Sequence, residues 1–171
     1  ELLVIKGGEP LYDKNCLAFL DKIGDIKPNL RIKMVSNLTE ITNKTLKTFD
    51  NLNNLYICPS IDGVNETYEW IRGTSFNNMM KNFEILHNHD SVKRMGINYT
   101  MSIYNIGNII ETITHFSQYD IDISFYPARE AYLNSNLLPN LIKETLLQKI
   151  NKKMLTNIDP EKKLPYTPDS L

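Results

Sequence analysis

Five short apolar segments, each followed by a polar corner and then by a stretch with helical spacing, constrain this chain more than any other feature. The segments are residues 2–5, 30–35, 55–58, 94–103 and 121–127. Between them, apolar residues return every three or four positions, the period of a helix with one buried face. Strict strand-helix alternation implies a parallel sheet, because two parallel neighbours need a crossover that a helix supplies. The corners at Gly7-Gly8-Glu9, Ser36-Asn37, Ser60-Ile61-Asp62 and Tyr126-Pro127 all follow the carboxyl end of a strand. In such sheets that end is where ligands bind, so the four corners are expected to share one rim. A doubly wound sheet and part of a β/α barrel both satisfy this pattern.

The first segment, Leu2-Leu3-Val4-Ile5, is apolar without alternation, which predicts a strand covered on both faces. It stops at Gly7-Gly8-Glu9-Pro10, where two residues without side chains expose the backbone beside an acid, although a plain turn has the same composition. Asp13 predicts a helix cap ahead of Cys16, Leu17, Leu20 and Ile23, with Gly24 as the stop. Thr42 or Asn43 caps a second helix through Leu46, Phe49 and Leu52. Residues 64–74, with Tyr68, Trp70, Arg72 and Gly73, read as a connector. Ser75 then caps a helix with Phe76, Met79, Met80, Phe83 and Leu86 on one face. Ile109, Ile110, Ile113 and Phe116 are expected to face inward from the next helix, leaving His115 at its edge. Pro139 opens the last helix, and from Asn151 the pattern fades into a charged, proline-bearing tail.

Charge and composition narrow the chemistry. A net charge of −1 over 171 residues argues against a grip on nucleic acid by bulk positive charge. No apolar run is long enough to span a bilayer, and a reducing cytoplasm is the default location. Cys16 and Cys58 lack metal-type spacing and read as buried free thiols. His87-Asn88-His89 reads as a solvated turn, not a metal site. Ser60 and Asp62, two apart in an extended segment, point the same way and present a hydroxyl with a carboxylate, suited to an ammonium or sugar hydroxyls or to capping the next turn.

Taken in order, these corners resemble the radical S-adenosylmethionine (SAM) superfamily, and more closely its twitch/SPASM branch. Gly7-Gly8-Glu9-Pro10 is similar to that family's Gly-Gly-Glu motif after the second strand. Ser60-Ile61-Asp62-Gly63 with Arg72-Gly73 and Phe76 is similar to the region after the fourth. Ser102-Ile103-Tyr104-Asn105 resembles the end of the fifth strand, and Phe125-Tyr126-Pro127 that of the sixth. Residues 138–143 also resemble twitch proteins. The resemblance covers about residues 1–150 and implies an α/β fold, a partial (β/α)6 barrel holding strands two to six. Residues 151–171 would be a linker or tail towards a C-terminal extension.

The resemblance also implies a function. A radical SAM enzyme cleaves SAM reductively at a [4Fe-4S] cluster to make a 5′-deoxyadenosyl radical, which abstracts hydrogen from a substrate. Gly7, Gly8 and Glu9 would receive the amino group of SAM. Ser60 and Asp62 would contact its carboxylate or ribose, Arg72 would clamp the carboxylate or serve only as a salt bridge, and Tyr126 would lie beside the adenine. The chain departs from the pattern twice. Leu38 replaces the glycine of the usual Thr-Asn-Gly corner, and the three closely spaced cluster cysteines are absent, as a fragment starting at the second strand would be. The cluster ligands are therefore expected upstream, and the chain as given is expected to be inactive. Implied partners are a peptide or small-molecule substrate and an electron donor such as flavodoxin or ferredoxin. Two other readings stay open: a cluster-free binding or scaffold protein, and an unrelated α/β barrel enzyme, for which Lys6 would be the Schiff-base candidate.

Overall fold

A computed structural model describes residues 1–157. Five strands, β1 (Leu2–Ile5), β2 (Arg31–Ser36), β3 (Leu55–Pro59), β4 (Val92–Met101) and β5 (Asp122–Pro127), form one sheet in the order β1-β2-β3-β4-β5. Every neighbouring pair is parallel. The helices between them are α1 (Lys14–Ile26), α2 (Asn43–Asp50), α3 (Asn65–Arg72), α4 (Phe76–His87) and α5 (Ile109–Phe116), with α6 (Asn140–Asn157) after the last strand.

Strand order separates the two architectures left open by the sequence. A doubly wound sheet reverses direction at a switch point, whereas here each strand lies beside its predecessor without reversal. Parallel crossovers are right-handed, so a sheet that never reverses has all its crossover helices on one side. The core follows this rule. Ile32, Met34, Leu55, Ile57, Met95, Ile97 and Tyr99 face the helices and join Leu20, Phe49, Tyr68, Phe83 and Phe116 in one buried cluster. The alternate residues of the same strands, including Lys33, Val35, Tyr56 and Cys58, lie on the other face and outside that cluster. This is an α/β sheet of the partial-barrel type.

The open face corrects the reading of β1. It is an edge strand, and Leu3 and Ile5 pack against the core while Leu2 and Val4 remain 56% and 48% exposed. Apolar residues on both faces thus mark a strand whose second face no helix of the described residues covers. Gly24 does not end α1. It lies buried within the helix, where an added Cβ would sit 2.8 Å from Asn51 Cβ, and the helix continues to Ile26. The glycine serves the close approach of α1 and α2.

Asp13 caps α1, accepting from the amides of Asn15 and Cys16, and Thr42 caps α2 in a reciprocal box with Thr45. Ser75 caps α4 as expected. Residues 65–72 are a helix, not a connector, closed by Gly73 in the left-handed conformation at φ 65°. Its N-cap, Val64, contributes no side-chain bond, so the usual sequence marker of a helix start is missing. On α5, Thr112 is buried and Ile113 is exposed, the reverse of the apolar pattern, because the Thr112 hydroxyl donates to the Asn108 carbonyl. Helix α6 runs through residues 151–157, where the sequence pattern faded, with Leu141 and Leu147 exposed. The prolines of the expected tail, Pro160, Pro165 and Pro168, lie outside the described residues.

His115 is half-buried between Phe76 and Phe116, with ring centroids at 5.3 and 4.9 Å, and its Nε2 has no hydrogen-bond partner among the described residues. Burial lowers its pKa below the ordinary 6.5. The unfolded chain then takes up this proton first, so the stabilising effect of neutral His115 is present above the ordinary value and is lost as pH falls towards the folded pKa. Wild type is expected to lose more stability than His115→Phe between about pH 7.5 and about pH 5.5, as measured by urea unfolding at each pH.

Candidate functional site

The site begins with backbone geometry at the carboxyl end of β1. Gly7 and Gly8 have φ of 98° and 58°, values in the left-handed region that side-chain-bearing residues rarely adopt. A Cβ built on either would have no atom within 4 Å. Space in front of these peptide groups is therefore open, as a backbone surface for a ligand requires.

Glu9 turns back across the sheet. Its Oε1 accepts from the Ser36 hydroxyl at 2.6 Å and from the Leu11 amide at 3.2 Å, and its Oε2 accepts from the Asn37 amide at 2.6 Å. One carboxylate thus ties the β1 corner to the β2 corner with short, charge-assisted bonds. A carboxylate has about four acceptor positions, so about one remains for an outside donor. Ser36 Oγ in turn accepts from the Leu38 amide at 3.0 Å. Leu38 adopts φ 54°, the conformation the absent glycine would favour, and is held there by complete burial and by Asn82, whose Nδ2 donates to its carbonyl at 2.8 Å. The corner keeps its shape with the glycine replaced.

The next link is β3. The Ser60 amide donates to the Ser36 carbonyl at 2.8 Å, and Ser60 forms an isolated parallel bridge with Asn98 of β4. Ile61 continues the ladder through its amide to the Asn98 carbonyl. Asp62 then departs from it, because its Oδ1 accepts the Thr100 amide at 2.6 Å in place of a backbone carbonyl. Its Oδ2 pairs with Arg72 Nη2 at 2.6 Å, and both side chains are largely covered, with 10% and 26% exposure. Arg72 is therefore a half-buried partner of Asp62 more than a free clamp. Its Nε and the Tyr68 hydroxyl are buried donors without an acceptor among the described residues.

Asn105 completes this corner. Its Nδ2 donates to the Thr100 carbonyl at 2.8 Å and the Asp62 carbonyl at 3.2 Å, while its Oδ1 accepts from Ser102. Tyr99 donates its hydroxyl to the Asn105 carbonyl, and burial pushes the pKa of that hydroxyl well up. Asn108 reaches back to α3, its Oδ1 accepting from the Val64 amide at 2.8 Å. Tyr126, exposed at the end of β5, stands beside Thr100 in the register.

The rim thus brings together Gly7, Gly8, Glu9, Ser60, Asp62 and Arg72, with Tyr126 at its β5 end. Reasoning from sequence missed the positioning roles of Thr100, Asn105 and Asn108. The spacing Ser102-x-x-Asn105 was the available signal, since a serine followed three residues later by asparagine suits a closed side-chain-to-backbone turn.

Of the remaining candidates, Lys6 is exposed beside Gly7 at the end of β1. His87 stacks on Phe83, and His89 lies 3.4 Å from Asp50. Cys16 is half-buried on the helix side and Cys58 is buried on the opposite face, and burial raises the pKa of both thiols. Among the described residues no group of three or more His, Cys, Asp or Glu can hold a metal ion. A [4Fe-4S] cluster consequently finds no ligand set there. No helix of these residues is long and apolar enough to cross a membrane.

Residues 1–116 match the model of the Radical SAM superfamily, and the chain belongs to that family. Among solved structures, SuiB of Streptococcus suis bound to S-adenosylmethionine is similar at TM-score 0.66 and 15% identity, covering 91% of this chain and 35% of that one. SuiB has also been solved with its precursor peptide SuiA, at TM-score 0.61 and 14% identity, with 91% and 36% covered. TYW1 with a lysine-pyruvate adduct is similar at TM-score 0.61 and 15% identity, with 92% and 50% covered. A domain of the pyruvate-formate lyase-activating enzyme of Bacteroides vulgatus ATCC 8482 is similar at TM-score 0.58 and 13% identity, with 88% and 92% covered. No curated protein sequence matches significantly. The chain spans about a third of the length of SuiB.

The Glu9 brace is directly testable. Glu9→Gln keeps the shape but replaces two short charge-assisted bonds, and it should cost ~2 kcal/mol of unfolding free energy. Glu40→Gln, at an exposed position, should change it by less than about 0.5 kcal/mol in the same urea titration.

Proposed function

We propose that this chain forms the SAM-binding part of a radical SAM enzyme of the twitch/SPASM type, with the cysteines for its [4Fe-4S] cluster elsewhere in the protein. The observation that carries this reading is the open, positive-φ Gly7-Gly8 corner, adjoining two braced carboxylates on the rim of a radical SAM fold. SAM fits the chemistry of these residues. Gly7 and Gly8 offer free backbone groups, and Glu9 offers an acceptor position and negative charge to an ammonium. Ser60 would contact the carboxylate or a ribose hydroxyl, Asp62 would accept from a ribose hydroxyl, Arg72, paired with Asp62, would add positive charge beside the carboxylate, and Tyr126 would offer a ring face to the adenine. When bound and reductively cleaved, SAM supplies radical chemistry for hydrogen abstraction, and an external donor such as flavodoxin or ferredoxin supplies the electron.

The residues of this chain orient and hold. Glu9 and Asp62 fix the corners against one another, so the rim is organised before a ligand arrives. The uncovered sheet face below the rim is the natural place for a substrate, either a peptide or a small molecule. The whole protein would act in the reducing cytoplasm.

The test is anaerobic iron-sulfide reconstitution of the full-length protein, with an assay for 5′-deoxyadenosine and calorimetry for SAM. Product formation is expected, together with a loss of SAM affinity of about tenfold or more in Gly8→Val, because valine leaves the left-handed region and reshapes the corner. A full-length protein that binds SAM but never yields 5′-deoxyadenosine would instead be a cluster-free binding protein.

A further inference from the structure

Helix α3 has two dissimilar faces. Tyr68 turns inward to the core and Arg72 to Asp62. Trp70 lies about 200° around the helix from Arg72 and turns to solvent, 67% exposed. There it meets Tyr104 of the loop after β4, itself 55% exposed, with ring centroids 5.0 Å apart and ring planes at 69°. Neither ring belongs to the hydrophobic core. Both are nevertheless held in place by polar bonds of the backbone that carries them. The Asn108 carboxamide fixes the start of α3 by accepting from the Val64 amide, and the Arg72-Asp62 pair fixes its end. Tyr104 sits in the turn that Asn105 Oδ1 and the Ser102 amide close, and its own amide donates to the Ser102 hydroxyl. Two large aromatic side chains braced into a corner and left in water mark an interaction surface.

The charge around the corner selects its occupant. Glu66 lies one turn before Trp70 on the same exposed face. Glu69, also exposed, accepts from the Phe76 amide with one oxygen and keeps its charge at the helix surface. Glu111 stands at the start of α3, bonded to Asn108. Against these acids, Arg72 is the only lysine or arginine between residues 48 and 80, and Asp62 takes up its charge. Residues 95–128 contain neither lysine nor arginine. Arg129, exposed on the β5 loop, is followed at once by Glu130. Ring faces beside carboxylates of uncompensated charge are the complement of an organic cation. A guanidinium suits both halves, because it is planar enough to stack on a ring and donates two parallel bonds to a carboxylate. Both rings are more than half exposed, so a small free cation would be covered on one side only. A cation delivered by a protein brings its own second wall.

We infer that the Trp70-Tyr104 corner docks an arginine side chain of a partner protein, the guanidinium lying on the rings and pairing with Glu66. Trp70 faces away from the Asp62-Arg72 corner of the rim, so the inference does not depend on the SAM reading.

Trp70 is the only tryptophan of the chain, so its fluorescence reads this corner directly. The experiment titrates the full chain at low salt with acetyl-Gly-Arg-Gly-Arg-Gly-amide, using the citrulline analogue as the neutral control. A saturable change in emission is expected for the arginine probe, about threefold or more tighter than for the analogue and weakened by added salt. Glu66→Gln and Tyr104→Leu should each weaken the arginine probe about threefold, Tyr104→Phe should retain it, and Asp25→Asn on α1 should not alter it. Equal binding of the two probes, or either Glu66→Gln or Tyr104→Leu behaving like Asp25→Asn, would overturn the inference. Thermal unfolding identifies a variant that fails to fold, and Tyr104→Met then repeats the ring-removal arm. In the full-length protein, hydroxyl-radical footprinting should find Trp70 and Tyr104 accessible. Protection of both there would overturn the inference in favour of a seam within the protein itself.

Discussion

Every crossover in this sheet runs in the same sense, and the rest of the structure depends on that constraint. Right-handed crossovers without a reversal place all the covering helices on one face. The hydrophobic effect is then spent on one side, where Phe49, Phe83 and Phe116 meet the inward residues of β2 to β4. The other side is left to Lys33, Tyr56, Cys58, Asn98 and Ser124, residues that are neither a regular core nor an ordinary solvated surface. A face of that composition is what a sheet presents when it is built to enclose something.

The rim above this face is organised by two carboxylates used as connectors. Glu9 joins the first two corners by accepting a hydroxyl and a backbone amide from the second. Asp62 does the same at β4, taking over a ladder bond from the backbone where β3 leaves the sheet and holding Arg72 with its other oxygen. Both acids therefore hold neighbouring strand ends in fixed relation to one another. Their engagement leaves the Gly7-Gly8 peptides as the open backbone of the rim. Asn105 and Asn108 support this arrangement by tying the β4 to α5 loop to Asp62 and to the start of α3.

Much of this was legible in the sequence, because strand-helix alternation and side-chain caps act locally. Asp13, Thr42 and Ser75 cap as their positions suggest, and all five strands lie where their apolar segments fall. The rim corners were also legible, since they stand at or just beyond the carboxyl ends of strands. What was hidden depends on partners distant in sequence. Gly24 reads as a stop until Asn51 is found against it, and α3 reads as a connector because Val64 gives no capping signal. The covering of β1 on only one face could not be read from four apolar residues, which look alike in a buried strand and in one beside an open face. Leu38 shows the reverse limit, since a leucine occupies a left-handed position only because burial, Ser36 and Asn82 hold it.

Amide hydrogen exchange with and without SAM tests the central claim, a rim braced in advance by carboxylates and open at its glycines, most directly. The account predicts that the Asn37 and Thr100 amides, bonded to Glu9 and Asp62, exchange slowly in the free protein and are little changed by SAM. The Gly8 amide should exchange quickly until SAM slows it. Fast exchange at Asn37 and Thr100 in the free protein, or protection by SAM that bypasses Gly7 and Gly8, would contradict it.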